Sequence, residues 1–176
     1  MKLFALVLVL SAGLFAQNSG KIFAVRHAEK QSDEADTPLS AKGLARAQCL
    51  AETLKDAHID SVLVTQYKRT HQTAEPTVRE SHAKEQQFDA KQSDSTVAAA
   101  RTAAQSGNVL IVGHSNTLPD ILKSLGAGAV TIPDAAYDML FVVELRDPQH
   151  VLTLHYCPNL PQEQKTFTPN SMANPK

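Results

Sequence analysis

The sequence predicts an α/β fold: a three-layer sandwich with a mostly parallel central sheet flanked by helices, and an antiparallel hairpin near the C-terminus. Three observations carry this. Short unbroken apolar runs alternate with amphipathic stretches, the pattern of buried strands joined by helical crossovers. The 176-residue chain is 43% hydrophobic and 20% charged, a globular balance that excludes wholesale disorder. The last two apolar runs flank Arg146-Asp147-Pro148-Gln149-His150, which reads as a hairpin turn.

The first sixteen residues stand apart. Met1-Lys2 is a short positive start, residues 3–10 are apolar without a break, and residues 11–16 are small and apolar. A stretch this short falls below the ~20 residues of a membrane span and reads as a secretory signal peptide cut after Ala16. An uncleaved N-terminal anchor is the alternative. The only cysteines are Cys49 and Cys157, which argues against a lipoprotein. The expected layout is a signal peptide over 1–16, one domain over 17–157 and a Pro/Asn-rich tail over 158–176. The mature chain is then expected to be exported, periplasmic or secreted, and to have no membrane association. Export puts both cysteines where a disulfide is permitted, and two separate buried thiols are the other possibility.

Ile22-Phe23-Ala24-Val25 is the first buried strand, and a polar loop follows over 29–38. Ser40 caps a helix from Ala41 to about Ala57, with Leu44, Ala47, Ala51 and Leu54 on one buried face. Residues 62–64 form a second strand. A helix begins near Gln66, and Pro76 should kink or end it. Residues 85–89 make a weak strand. An Ala-rich helix over 95–105 is capped by Asp94 or Ser95 and closed by Ser106-Gly107-Asn108. Val109-Leu110-Ile111-Val112 is the clearest buried strand. Leu118, Ile121, Leu122 and Leu125 then mark a helix face, closed by Gly126 and Gly128. Strands at 140–145 and 151–156 form the hairpin.

The net charge of −1 lacks the basic footprint of a nucleic-acid binder. Trp is absent and aromatics are 5%, which argues against a base-stacking platform. Reactive residues gather instead where ligands of open α/β sheets bind, at the carboxyl ends of strands. The first strand ends in Arg26-His27, the second leads to Arg69, and the strand at 109–112 runs into Gly113-His114-Ser115. Two guanidiniums offer bidentate donors to a tetrahedral oxyanion. A neutral imidazole is a competent nucleophile toward phosphorus.

These three stretches carry a resemblance. Val25-Arg26-His27-Ala28-Glu29-Lys30 resembles the opening Arg-His-Gly signature of the histidine phosphatase superfamily, with Ala28 where Gly is common. The stretch from Thr65 through Arg69 and Thr73 to Ala74 is similar to its second motif, and Val112-Gly113-His114-Ser115 to its late Gly-His motif. Leu39-Ser40-Ala41-Lys42-Gly43 and Arg46-Ala47 resemble its Leu-Thr-x-x-Gly stretch and the helix after it. The resemblance implies a phosphoglycerate-mutase-like fold and a small exported phosphomonoester hydrolase. It implies a nucleophilic His27 and a phosphate pocket of Arg26, Arg69 and His114, to which Ser115 and Thr73 are added as substrate contacts. It also implies no cofactor and no metal, a phosphorylated small molecule or phosphoprotein as substrate, no nucleic acid, and a monomer.

A leaving alkoxide needs a proton. By position Asp89 is the first candidate for the acid, followed by Glu85, Glu29 and Asp138; without an acid, good leaving groups such as protein phosphohistidine are favoured. Of the other histidines, His71 is the one worth testing. Competing readings are a non-catalytic phosphate or sugar-phosphate binding domain and a serine hydrolase. The latter would use Ser115 with Asp134 and His150 or His155, but Thr117 stands where the nucleophile elbow needs its second Gly.

Overall fold

The computed structural model describes residues 20–145 and 150–160. The expected signal peptide, residues 146–149 of the hairpin turn and residues 161–176 of the tail lie outside them. The strands are β1 (Lys21–Arg26), β2 (Ile59–Thr65), β3 (Lys84–Phe88), β4 (Asn108–Gly113), β5 (Met139–Glu144) and β6 (His150–His155). The helices are α1 (Ala41–Leu54), α2 (Lys68–Ser81), α3 (Ser93–Ala103) and α4 (Leu118–Ser124). One six-stranded sheet runs in the order β3-β2-β4-β1-β5-β6. Its first four strands pair in parallel, and β5 and β6 are added antiparallel.

The central strands are apolar throughout because both faces are covered. Ile22 and Ala24 of β1 and Val109 and Ile111 of β4 pack toward α3 and α4. Phe23 and Val25, with Leu110 and Val112, pack in the core that also holds Leu50 and Leu54 of α1 and Ala74 of α2. Period-two alternation within an unbroken apolar run thus fills two cores at once. The chain steps one way along the sheet through β2 and β3 and then returns to insert β4 beside β1. Right-handed crossovers make that reversal place α3 on the face opposite α1 and α2.

Several local expectations change. Ser40 caps α1, its side chain accepting from Gly43 N–H. The helix ends at Leu54 and tightens into a 3₁₀ turn over Lys55–Ala57. Leu44 is half exposed, and the buried stripe instead takes in Gly43 and Arg46. The reason is electrostatic: Arg46 Nε and Nη2 donate to the two carboxylate oxygens of Glu29 at 2.8 and 2.7 Å. Neutralised in this way, a guanidinium occupies a position that periodicity assigns to carbon. Pro76 does not end α2, which continues to Ser81. α3 starts two residues early, at Ser93, with Gln92 as an N-cap that makes no side-chain bond, so Asp94 lies in the first turn and neither Asp94 nor Ser95 is the cap. After α4, Gly126 at φ 97° lets Ala127 N–H return to Leu122 O.

Two further ties join α1 to the rest. Cys49 on α1 is disulfide-bonded to Cys157, just past β6, with Cα atoms 6.5 Å apart. The first turn of α1 also lies directly on the loop after β1, where Ser40 N–H donates to Glu29 O at 2.9 Å. A Cβ at Gly43 would run into that same carbonyl. Helix propensity alone makes Gly43→Ala stabilising by about 1 kcal/mol. The contact reverses the sign: we expect a urea midpoint below that of the native chain, and a raised midpoint would show that the loop gives way freely.

Candidate active site

Parallel pairing of β1 with β4 places Arg26 opposite Gly113, and His27 N–H donates to Gly113 O at 2.9 Å. The residues after both strand ends therefore emerge together, and the rings of His27 and His114 lie 5.2 Å apart, edge to face. β2, on the other side of β4, contributes Thr65 and leads into α2, whose first turn carries Arg69. His27, Arg69 and His114 line one cavity of about 300 Å³ with Tyr67, Ala90, Lys91, Ser115, Asn116 and Thr117. No carboxylate is part of that lining.

Each ring is oriented by a hydrogen bond. Nδ1 of His27 lies 2.8 Å from Ala28 O. A carbonyl can only accept, so Nδ1 carries the proton and Nε2 keeps its lone pair. Burial is the main force lowering the His27 pKa to about 4; Arg69, Arg26 and Lys30 add to it, against the Ala28 carbonyl. His114 is pushed down to about 3, again chiefly by burial, then by His27, Arg69 and Arg26. Both imidazoles are neutral at neutral pH.

The arginines are held at one end. Arg26 Nη1 donates to Asp134 O at 2.6 Å and Pro133 O at 3.2 Å. Its guanidinium also stacks 4.1 Å from the centre of the Tyr137 ring, so it faces the 133–137 loop rather than the cavity lining. Arg69 Nη1 donates to Ala35 O at 2.8 Å, and its guanidinium lies 4.2 Å from the Tyr67 ring centre. In both, Nε is buried with no protein acceptor. A buried N–H of a charged group normally has a partner, so each Nε is a donor still open to an acceptor.

The other expected residues lie as follows. Ser115 lines the cavity, and its hydroxyl donates to Asp134 Oδ1 at 3.4 Å. Thr73 is fully buried behind the site: it accepts from Ala28 N–H at 2.9 Å and donates within α2 to Arg69 O at 2.7 Å, joining α2 to the loop after β1, and it is not part of the cavity lining. Asp89 is exposed beside the lining, with Oδ1 accepting from Lys91 N–H at 2.8 Å. Glu29 is paired with Arg46, Glu85 with His71 at 2.7 Å, and Asp138 with His155 at 3.0 Å. Among the described residues no group of three or more His, Cys, Asp or Glu could hold a metal ion, and no helix is long and apolar enough to cross a membrane. Sequence reasoning missed Tyr67 and Thr65. The signal for both was their place, immediately after or at the end of a parallel strand.

Comparison with known proteins agrees with this architecture. Residues 22–93 match the model of the histidine phosphatase superfamily (branch 1), a span that holds Arg26, His27 and Arg69 but stops short of His114. Among solved structures, the chain is similar to a protein histidine phosphatase SixA complexed with tungstate, at 20% identity and a TM-score of 0.60, covering 77% of this chain and 96% of that one. It is similar to the alpha-ribazole phosphatase of Shigella flexneri at 16% identity and a TM-score of 0.62, covering 77% and 96%. It is also similar to the phosphoglycerate mutase of Bacillus anthracis at 15% identity and a TM-score of 0.59, covering 73% and 91%. Among curated proteins none matches the sequence. The fold is that of the phosphoglycerate-mutase-like histidine phosphatases.

The two lowered histidine pKa values predict how stability depends on pH. Each folded-state value lies below the ordinary 6.5, so as pH falls the unfolded chain takes up protons first. Stability is fully present above about pH 6.5 and is lost on the way down to about pH 4 for His27 and about pH 3 for His114. Each histidine should forfeit roughly 2 kcal/mol between pH 7 and pH 5. Urea midpoints of the native chain and of His114→Gln across that range check this: the variant should show the shallower fall, and equal slopes would show that the ring is not buried neutral.

Proposed function

We propose that this chain is a histidine phosphatase, a metal-independent hydrolase of phosphorylated substrates that works through a phosphohistidine on His27. One observation carries the reading. A neutral His27 whose Nε2 lone pair is free stands with a second neutral imidazole and two guanidiniums, each with a buried Nε–H and no protein acceptor. That is a nucleophile set among donors for a tetrahedral oxyanion. The family match over residues 22–93 supports it, as does the bound tungstate of one structural neighbour, a tetrahedral oxyanion in a protein of the same fold.

The reaction takes two in-line steps. Nε2 of His27 attacks phosphorus and the leaving group departs. Water then attacks the phosphohistidine, the P–N bond breaks, and inorganic phosphate leaves. Guanidinium N–H groups stabilise the equatorial oxygens; removing one such donor typically costs ~100–1000-fold in rate. None of the described residues lining the cavity is a carboxylate, and substrates whose leaving groups depart without an acid's help suit it best: aryl phosphates and phosphoramidates, protein phosphohistidine included. We further propose that the protein acts as an exported monomer after loss of residues 1–16. The non-catalytic binding reading explains the arginines but not an imidazole locked with its nucleophilic nitrogen bare.

His27→Ala should abolish turnover of 4-nitrophenyl phosphate with circular dichroism unchanged, and the native enzyme quenched in turnover should carry an acid-labile, base-stable phosphoryl group that the variant lacks. Substantial activity in His27→Ala would remove the nucleophile assignment. Aryl phosphates should turn over at least 100-fold faster than alkyl phosphates. Asp89→Asn should leave that ratio as it is; a selective loss on alkyl phosphates would instead make Asp89 the acid.

A further inference from the structure

The two histidines of the cavity are held in opposite tautomers, the second set by Arg69 on one ring nitrogen and held by Thr65 on the other. His114 Nδ1 faces Arg69 Nη2 at 3.5 Å, and a guanidinium can only donate. Nδ1 is therefore the bare nitrogen, and Nε2 carries the proton. Thr65 Oγ1 lies 2.9 Å from Nε2 and accepts it. The chain continues without conflict. Thr65 Oγ1 is 3.1 Å from Thr70 Oγ1, and the Thr70 hydroxyl donates to Tyr67 O at 2.8 Å and to Thr65 O at 3.0 Å. Thr70 is fully buried, and each hydroxyl along this line has a partner.

We infer that Thr65 is a positioning residue: by holding Nε2–H it fixes His114 with Nδ1 turned to the oxyanion site, so that an anion binds there with one proton between its oxygen and Nδ1. The inference rests on the oxyanion reading of the cavity. Bare Nδ1 against a bare anionic oxygen repels, and the Arg69 contact opposes the tautomer in which Nδ1 is already protonated, while Thr65 supplies the acceptor that the other tautomer needs. The proton is brought by the anion or taken from solvent. Other groups around His114 set the same balance. Arg26 and His27 face it from the end of β1, Arg69 and the edge of Tyr67 from the start of α2, and Lys91 from the far wall. The cations oppose the proton, and the bound dianion favours it.

Ring nitrogen shifts of the ¹⁵N-labelled full chain test this directly. In the anion-free protein His27 should read protonated at Nδ1 and His114 at Nε2. Sulfate, a dianion throughout the neutral range, should convert His114 to the doubly protonated ring, and its affinity should rise about tenfold per pH unit lowered between pH 8 and 6. Thr65→Val should lose the single His114 tautomer and about 10–100-fold in kcat on an aryl phosphate, with a smaller change in KM. Thr65→Ser should restore both. An anion-free His114 protonated at Nδ1, or a Thr65→Val chain with native ring shifts and native kcat, would overturn the inference. Sulfate that leaves His114 singly protonated while binding would overturn the proton coupling. Failure of sulfate to bind at all would overturn the oxyanion reading, while the anion-free shifts still decide the role of Thr65.

Discussion

One backbone hydrogen bond organises the candidate site: His27 N–H to Gly113 O, the last rung of the parallel β1–β4 ladder. Residues separated by more than eighty positions become neighbours because two strands end at the same level. Parallel pairing cannot be made locally. It needs the crossovers through α1, α2 and α3, whose apolar faces are covered only when the sheet is complete. The chemistry at the sheet's edge and the packing of both cores are thus one cooperative event.

The electrostatic character of the site follows from burial. Arg26, His27 and His114 are all more than nine-tenths buried. Buried charge is tolerated when it is paired or hydrogen-bonded, and here the arginines are tied to backbone carbonyls and aromatic faces rather than to carboxylates. Neither is hydrogen-bonded to a carboxylate, and Asp36 acts on Arg69 only through space. The histidines, in the same field and equally dry, respond by staying neutral. Around this positive core lie the pairs Glu29–Arg46, Glu85–His71 and Asp138–His155, each of which holds a carboxylate on a partner of its own.

The loops that carry the site are anchored from behind. Glu29, two residues after His27, is fixed by Arg46 of α1. Arg46 Nη1 also reaches Cys157 O at 3.4 Å, beside the disulfide to Cys49. Tyr156 donates its hydroxyl to Tyr137 O at 3.0 Å, and Tyr137 stacks on Arg26. The C-terminal segment, α1 and the loop after α4 therefore brace the two residues at the end of β1, where rate depends on geometry held to within fractions of an ångström.

The sequence by itself determined the elements whose signal is local. Apolar runs of four residues at 22–25 and 109–112 mark strands buried on both faces, and polar residues at their ends mark the edge where ligands bind. Arg26, His27 and His114 stand out in the sequence because charge and imidazole at the end of an apolar run have no reason to be there on packing grounds alone. Tertiary structure decided what depends on a distant partner. Arg46 replaced Leu44 on the buried face because Glu29 neutralises it from another segment. Thr73 was drawn behind the site because Ala28 N–H and Arg69 O required its hydroxyl. Glu29, Glu85 and Asp138 found cationic partners, Asp89 took the N–H of Lys91 beside the cavity, and Cys49 met Cys157 across the fold. Periodicity reports which side of an element is apolar; the identity of a polar group's partner is set only when the chain closes and the unpaired donors and acceptors of separate segments meet.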